Sequence, residues 1–225
     1  MDNAVIYLLP LGPRRFELYS EPRDDGTGAE PDGFWRARTR RFLTRWRDAV
    51  RDARHQSTAE TTFLGRARDW TVRRTADAIA EQRALWTLRR CRAAVLVHSP
   101  DLPPADASAI RDRLLARART HHARWLVADA VVLVASGVFM LVPGPNVIAY
   151  YFAFRVVGHF LSWRGARRAL QGTTWRLEAE PALAELGRLA ALPREARAPR
   201  LDAIAAALKL PRLAAFFDRT AAPAR

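Results

Sequence analysis

One cysteine, Cys91, in 225 residues excludes an intrachain disulfide and a cysteine-rich metal site. Lysine is almost as scarce: of 37 basic residues only Lys209 is lysine. Catalytic signatures are missing too. There is no glycine-rich phosphate loop, no Ser-His-Asp context and no HExxH, and no repeat of 20–50 residues. The chain therefore does not read as an enzyme, and no cofactor or metal is expected. A basic n-region is absent ahead of the short apolar run Ala4 to Leu9, which argues against a secretory signal. Residues 1–32 are net acidic, which argues against a transit peptide.

What is present is arginine, unevenly spread. The net charge is +14, with residues 1–32 at −4, 33–124 at +12, 125–163 at 0 and 164–225 at +6. A basic–neutral–basic layout suits a membrane surface or a polyanion. A chain of this length can bury a real core.

The neutral stretch Trp125 to Trp163 organises the rest. Two apolar segments flank Pro143, Gly144, Pro145 and Asn146, whose chemistry makes a turn and breaks helices. The unit reads as an αα-hairpin. Segment 126–142 spans about 25 Å as a helix, slightly short of a hydrocarbon core of about 30 Å. Its ten Leu, Val and Phe residues outweigh one aspartate near its end. Segment 147–163 is marginal, because Arg155 offsets its apolar residues and needs a partner.

Folding the hairpin about Gly144 sets His159 opposite Asp129 and puts Arg155 one turn deeper, within reach of the same carboxylate. Asp129, Arg155 and His159 are thus expected to form one polar cluster. In lipid such a cluster marks a proton or ion path; in water it is an ion pair tying two core helices together. Trp125, Trp163 and Arg164, at the outer ends, would anchor the hairpin at a membrane interface. The uncharged turn and arginine-rich flanks put both termini on the cytoplasmic side if the hairpin enters a bilayer.

Elsewhere the pattern predicts an α+β, mostly helical fold with a small antiparallel sheet from residues 4–9, 16–19 and 93–98. Arginine-rich helices are expected over 34–55 and 59–92. Pro103-Pro104 opens a long helix that runs into the apolar stretch, and short helices are expected at 200–208 and 212–218. Three regions follow: 1–104, 105–176 with the hairpin, and 177–225 as a tail. His55 and His98 read as structural. His121-His122 suit a joint metal site poorly, because neighbours on a helix point about 100° apart. Cys91, between Arg90 and Arg92, reads as a buried thiol. Arginine-rich helices with Trp46 and Trp70 leave nucleic-acid binding open, but no motif makes it specific.

The stretch LVPGPNVIAYYFAFRVVGHFLSWRGARRALQG, residues 141–172, resembles the signature of the mitochondrial K+–H+ exchange-related family. The matching positions are Pro143, Pro145, Asn146, Tyr151, Phe154, Arg155, Gly158, His159, Ala169, Leu170 and Gly172. VLVHSPDL at 95–102 and the basic helix ending at His122 are similar to the family as well. Gly144 between the prolines and Gly158 before the histidine depart from its pattern. The resemblance implies a membrane-associated protein linked to potassium–proton exchange, in an accessory role, since two apolar segments are few for a transporter. The arginine-rich chain then reads as a bacterial member at the inner membrane, with anionic lipids and a second copy or a transporter as partners. A soluble helical scaffold, or a basic binder of lipid or nucleic acid, is the alternative.

Overall fold

A computed structural model describes residues 4–21, 83–136 and 147–221. The helices expected at 34–55 and over most of 59–92, and the turn Pro143–Asn146, lie outside the described residues. The fold is α+β and mostly helical, as the sequence predicts.

Strands β1 (Ala4–Gly12) and β2 (Arg15–Tyr19) form an antiparallel hairpin. Gly12 at φ 150° and Arg14 at φ 58° supply its tight turn. Pro10 cannot donate to a ladder, and it sits where β1 has run past its other neighbour, whose pairing ends at Tyr7.

Strand β3 (Ala93–His98) joins β1, but in parallel: Ala4 faces Ala94 and Tyr7 faces Val97. A fourth strand, β4 (Thr174–Ala179), lies parallel on the far side of β3. The order is β2-β1-β3-β4, so the sheet is mixed and four-stranded rather than antiparallel and three-stranded. The reason is covalent: parallel neighbours need long crossovers. Between β3 and β4 the crossover is a helix pair, α2 (Pro104–Ser136) and α3 (Val147–Gln171). The helix that the sequence predicts running into the apolar stretch is therefore present, about 50 Å long.

Both faces of the sheet are covered, which explains why β1 and β3 read as continuous apolar runs. On one face Ile6, Leu8, Ala94 and Leu96 meet Leu85 and Leu88 of a short helix α1 (residues 83–88), Ala107 and Leu115 of α2, and Ala166 and Ala169 of α3. On the other, Leu9, Leu11 and Val97 meet α4 (Pro181–Leu189), α5 (Arg194–Ala207) and α6 (Leu213–Thr220). Leu183, Leu186, Leu201, Phe216 and Phe217 fill that side, each buried leucine contributing about 1.5–3 kcal/mol. Helix α4 starts at Pro181, capped by the Glu180 carboxylate accepting from the Ala182 N–H at 3.2 Å.

Helix α1 crosses α3 at Gly165. A Cβ there would stand 1.9 Å from the Leu85 carbonyl oxygen, so only glycine permits this approach. The Trp86 Nε1–H donates to Ser162 Oγ at 2.8 Å beside it. Cys91 is buried, its thiol 3.2 Å from the Thr87 carbonyl. His98 is buried with Nδ1 2.8 Å from the Ser99 carbonyl.

Candidate functional site

Above the sheet, α2 and α3 run on together past the apolar core. Their facing surfaces follow from helical spacing. On α2, His122, Trp125 and Asp129 are three and four residues apart, one stripe of a 3.6-residue helix. On α3, Tyr151, Arg155, His159 and Ser162 repeat at four, four and three. The two stripes meet.

Asp129 is 3 % exposed. Its Oδ2 accepts from Arg155 Nε at 2.9 Å and lies 3.3 Å from His159 Nε2. Arg155 also donates through Nη1 to the Tyr151 hydroxyl at 3.3 Å, and its guanidinium stacks 5.4 Å from the Trp125 ring centre. The His159 ring lies nearly parallel to Trp125, at 18°. Its Nδ1 is 2.8 Å from Nδ1 of His122, also buried. His121 stands edge-on to His122 at 5.2 Å and is exposed. Among the described residues no buried side-chain nitrogen or oxygen lacks a partner.

The electrostatics divide this group in two. Burial works against the Arg155 charge, but its bonds to Asp129 and Tyr151 outweigh that and hold it charged more firmly than usual. The imidazoles go the other way. Burial, with His159 and His121 nearby, lowers His122 to about 4. Burial also lowers His159, aided by Arg155 and His121, although Asp129 pulls upward. Near pH 7 both rings are therefore neutral, beside the Arg155–Asp129 ion pair. Among the described residues no group of three or more His, Cys, Asp or Glu is arranged for a metal ion. The geometry agrees: ring nitrogens 2.8 Å apart share a proton and leave no room for a metal between them.

The three residues singled out in the sequence, Asp129, Arg155 and His159, are thus brought into direct contact. The contact with His122 is the one a reading bounded at Trp125 leaves out, and the three–four spacing from His122 to Asp129 was its available signal. Trp125 is 44 % exposed and packs on the cluster with its inner face. Trp163 is half-buried between Phe160 and Arg167, with Arg164 exposed beside it. The Pro143, Gly144, Pro145 and Asn146 turn lies outside the described residues.

The outward faces are apolar where the inward faces are polar. Val127, Val131 and Val134 are 65 %, 63 % and 78 % exposed on α2, joined by Val157 and Phe160 on α3. Toward the sheet the same surface turns basic at Arg117, Arg124, Arg164 and Arg167, all exposed. Ala116, Arg117, Thr120, His121, Arg124 and Trp125 line an open groove of about 570 Å3. Among the described residues no helix is long and apolar enough to cross a membrane.

A helix pair that crosses over between parallel strands and holds an ion pair beside a buried histidine pair defines the class: an α+β protein with a helical hairpin that has a polar cluster between its helices. Residues 87–171, which run from the end of α1 through β3, α2 and α3, match the family model of mitochondrial K+–H+ exchange-related proteins. The resemblance read in the sequence holds over that segment. No curated protein and no solved structure matches the chain.

Proposed function

We propose that this protein is a membrane-associated accessory component of potassium–proton exchange, with a proton-linked cluster at Asp129, Arg155 and His159. The observation that carries the reading is one of placement. An ionisable cluster is buried between two helices whose outer faces expose valines beneath a belt of arginines. Apolar side chains exposed in this way fit the acyl boundary of one leaflet, and arginines at their edge fit anionic headgroups. Lipid contact at one leaflet needs no spanning helix. The exchanger itself would be a separate partner, or an assembly of copies of this chain.

Flotation with vesicles containing anionic lipid tests this. Binding should weaken as salt rises, since exposed charges are screened over about 10 Å at 0.1 M. Val131→Asp with Val134→Asp should weaken it by roughly a hundredfold, about 3 kcal/mol for two side chains withdrawn from the apolar boundary. Unchanged flotation would remove the lipid contact and leave the second reading, a helical scaffold whose valine face packs on protein.

A further inference from the structure

Two Nδ1 atoms at 2.8 Å can bond only if one carries the proton and the other offers a lone pair. The Asp129 carboxylate decides which. Lying 3.3 Å from His159 Nε2, it accepts, so the single proton of neutral His159 belongs on Nε2. His159 Nδ1 is then the acceptor, and His122 holds its own proton on Nδ1. That leaves the lone pair on His122 Nε2; the neighbouring ring, His121 at 5.2 Å, is exposed and lines the open groove, which His122 itself does not. The contacts form an ordered series from His122 through His159 to a buried carboxylate.

We infer that His122 and His159 form a proton-transfer chain, in which His122 receives a proton on the side of His121, the groove-lining neighbour, and Asp129 is the terminal acceptor. This inference rests on the proton-linked reading of the cluster and names its entry. The step balances without any co-reactant. A proton binds His122 Nε2; the His122 Nδ1–H bond breaks as its proton passes to His159 Nδ1; the His159 Nε2–H proton passes to Asp129 Oδ2. Both rings end neutral with their tautomers reversed, and the carboxylate ends as a carboxylic acid. Reversal of the same hops, or rotation of the rings, resets the chain.

The other groups facing these rings set the direction of the effect. On α2 they are His121 and Asp129; on α3 it is Arg155, whose guanidinium Tyr151 holds from its other side. Arg155 and His121 disfavour a charge resting on His159. Both rings are held neutral near pH 7, as relays need to be: they pass a proton rather than store it. Once Asp129 is neutral, Arg155 has no counter-ion, and its side chain, 30 % exposed, can turn to solvent. Proton arrival thereby loosens the tie between α2 and α3.

Nitrogen-15 NMR of the histidine-labelled full chain tests this directly. The expected pattern is His122 protonated at Nδ1 and His159 at Nε2 near pH 7. His122→Gln keeps a donor toward His159 Nδ1 but cannot relay. It should slow solvent exchange of the His159 Nε2 proton by roughly a hundredfold, the low end of a positioned acid–base group. The opposite tautomers, or an unchanged exchange rate in a folded variant, would overturn the chain. If that variant does not fold, the wild-type tautomers alone decide. Potassium-driven swelling of vesicles separates this from the broader reading. Intact relay signals with a pH profile untouched by His159→Ala would sink the exchange role and spare the relay. Reversed tautomers with an altered profile would do the opposite.

Discussion

Replacing Arg155 with methionine should cost more stability than replacing Asp129 with asparagine, although both break the same bond. The difference lies in burial. Asp129 is 4 % exposed in its side chain and Arg155 30 %. Without Arg155 the carboxylate stays buried and uncompensated, a situation that costs about 3–5 kcal/mol. Its one remaining recourse is His159 at 3.3 Å, which can take a proton and replace the lost cation. Protonating that ring is uphill above neutral pH, so the loss should be about 3 kcal/mol at pH 7.5 and smaller at pH 6. Without Asp129, by contrast, Arg155 keeps Tyr151 and reaches water, so about 1–2 kcal/mol is lost. The double variant leaves two neutral groups of similar volume and should cost about 1 kcal/mol, well under the sum. Urea midpoints at constant m-value measure all three. A double variant that costs the sum of the singles would refute the pair, and equal costs for the singles would refute the burial argument.

Gly165→Ala should lower the melting temperature by roughly 6–12 °C, because the clash is with Leu85 backbone and α1 must lift off α3, costing about 3 kcal/mol. Gly187→Ala meets Pro10 only at 3.4 Å and should be neutral or stabilising by up to about 1 kcal/mol, so a large loss there would contradict the packing. His122 ionises near 4 when folded and near 6.5 when unfolded, so the unfolded chain binds the extra proton between those values. Its contribution is therefore whole above pH 6.5 and fades by about 3 kcal/mol as pH falls to 4, a slope that denaturation of His122→Phe should lack. Asp218 accepts from both Arg194 and the buried Arg197, so Asp218→Asn should cost about 2–3 kcal/mol by thermal melting, chiefly through Arg197.

The legible parts of the chain were those fixed by local chemistry. Short apolar and aromatic β-prone runs on either side of Gly12-Pro13 make the hairpin, and Pro103-Pro104 starts a helix wherever it folds. Strand direction was not legible, because it depends on where residues 20–92 bring the chain back, and no residue within AAVLVH records that. Strand β4 did carry a signal in the alternation of Trp175 and Leu177 with Arg176 and Glu178. Arg176 also continues a run of arginines, and reading it by charge hides the period of two. Pro181 after Glu180 has the form of a helix start, while a search for breakers takes the same proline as an end. At the site, Asp129, Arg155 and His159 stand out because an apolar stretch makes any charge conspicuous. His122 lies in polar sequence, where nothing about it is conspicuous until α3 is placed beside it.

The matched segment, residues 87–171, holds every member of the cluster yet cannot bury its own base. Leu96, Leu115 and Ala166 share their core with Ile6 and Leu8 of β1 and Leu85 of α1, which lie outside it, and β3 pairs on both sides with strands outside it as well. The hairpin is thus a crossover whose two ends are pinned in neighbouring parallel strands, while beyond the core its described residues are joined by the Asp129–Arg155 ion pair, the histidine pair and the Trp125 ring stacked on them. A change in any of those contacts cannot be absorbed at the pinned ends, because the core there is close-packed. It must appear as movement of the far half, where the exposed valines are. On the proposed reading, a partner or leaflet bound to the face of Val127, Val131 and Val134 would sense a change in the cluster through that movement.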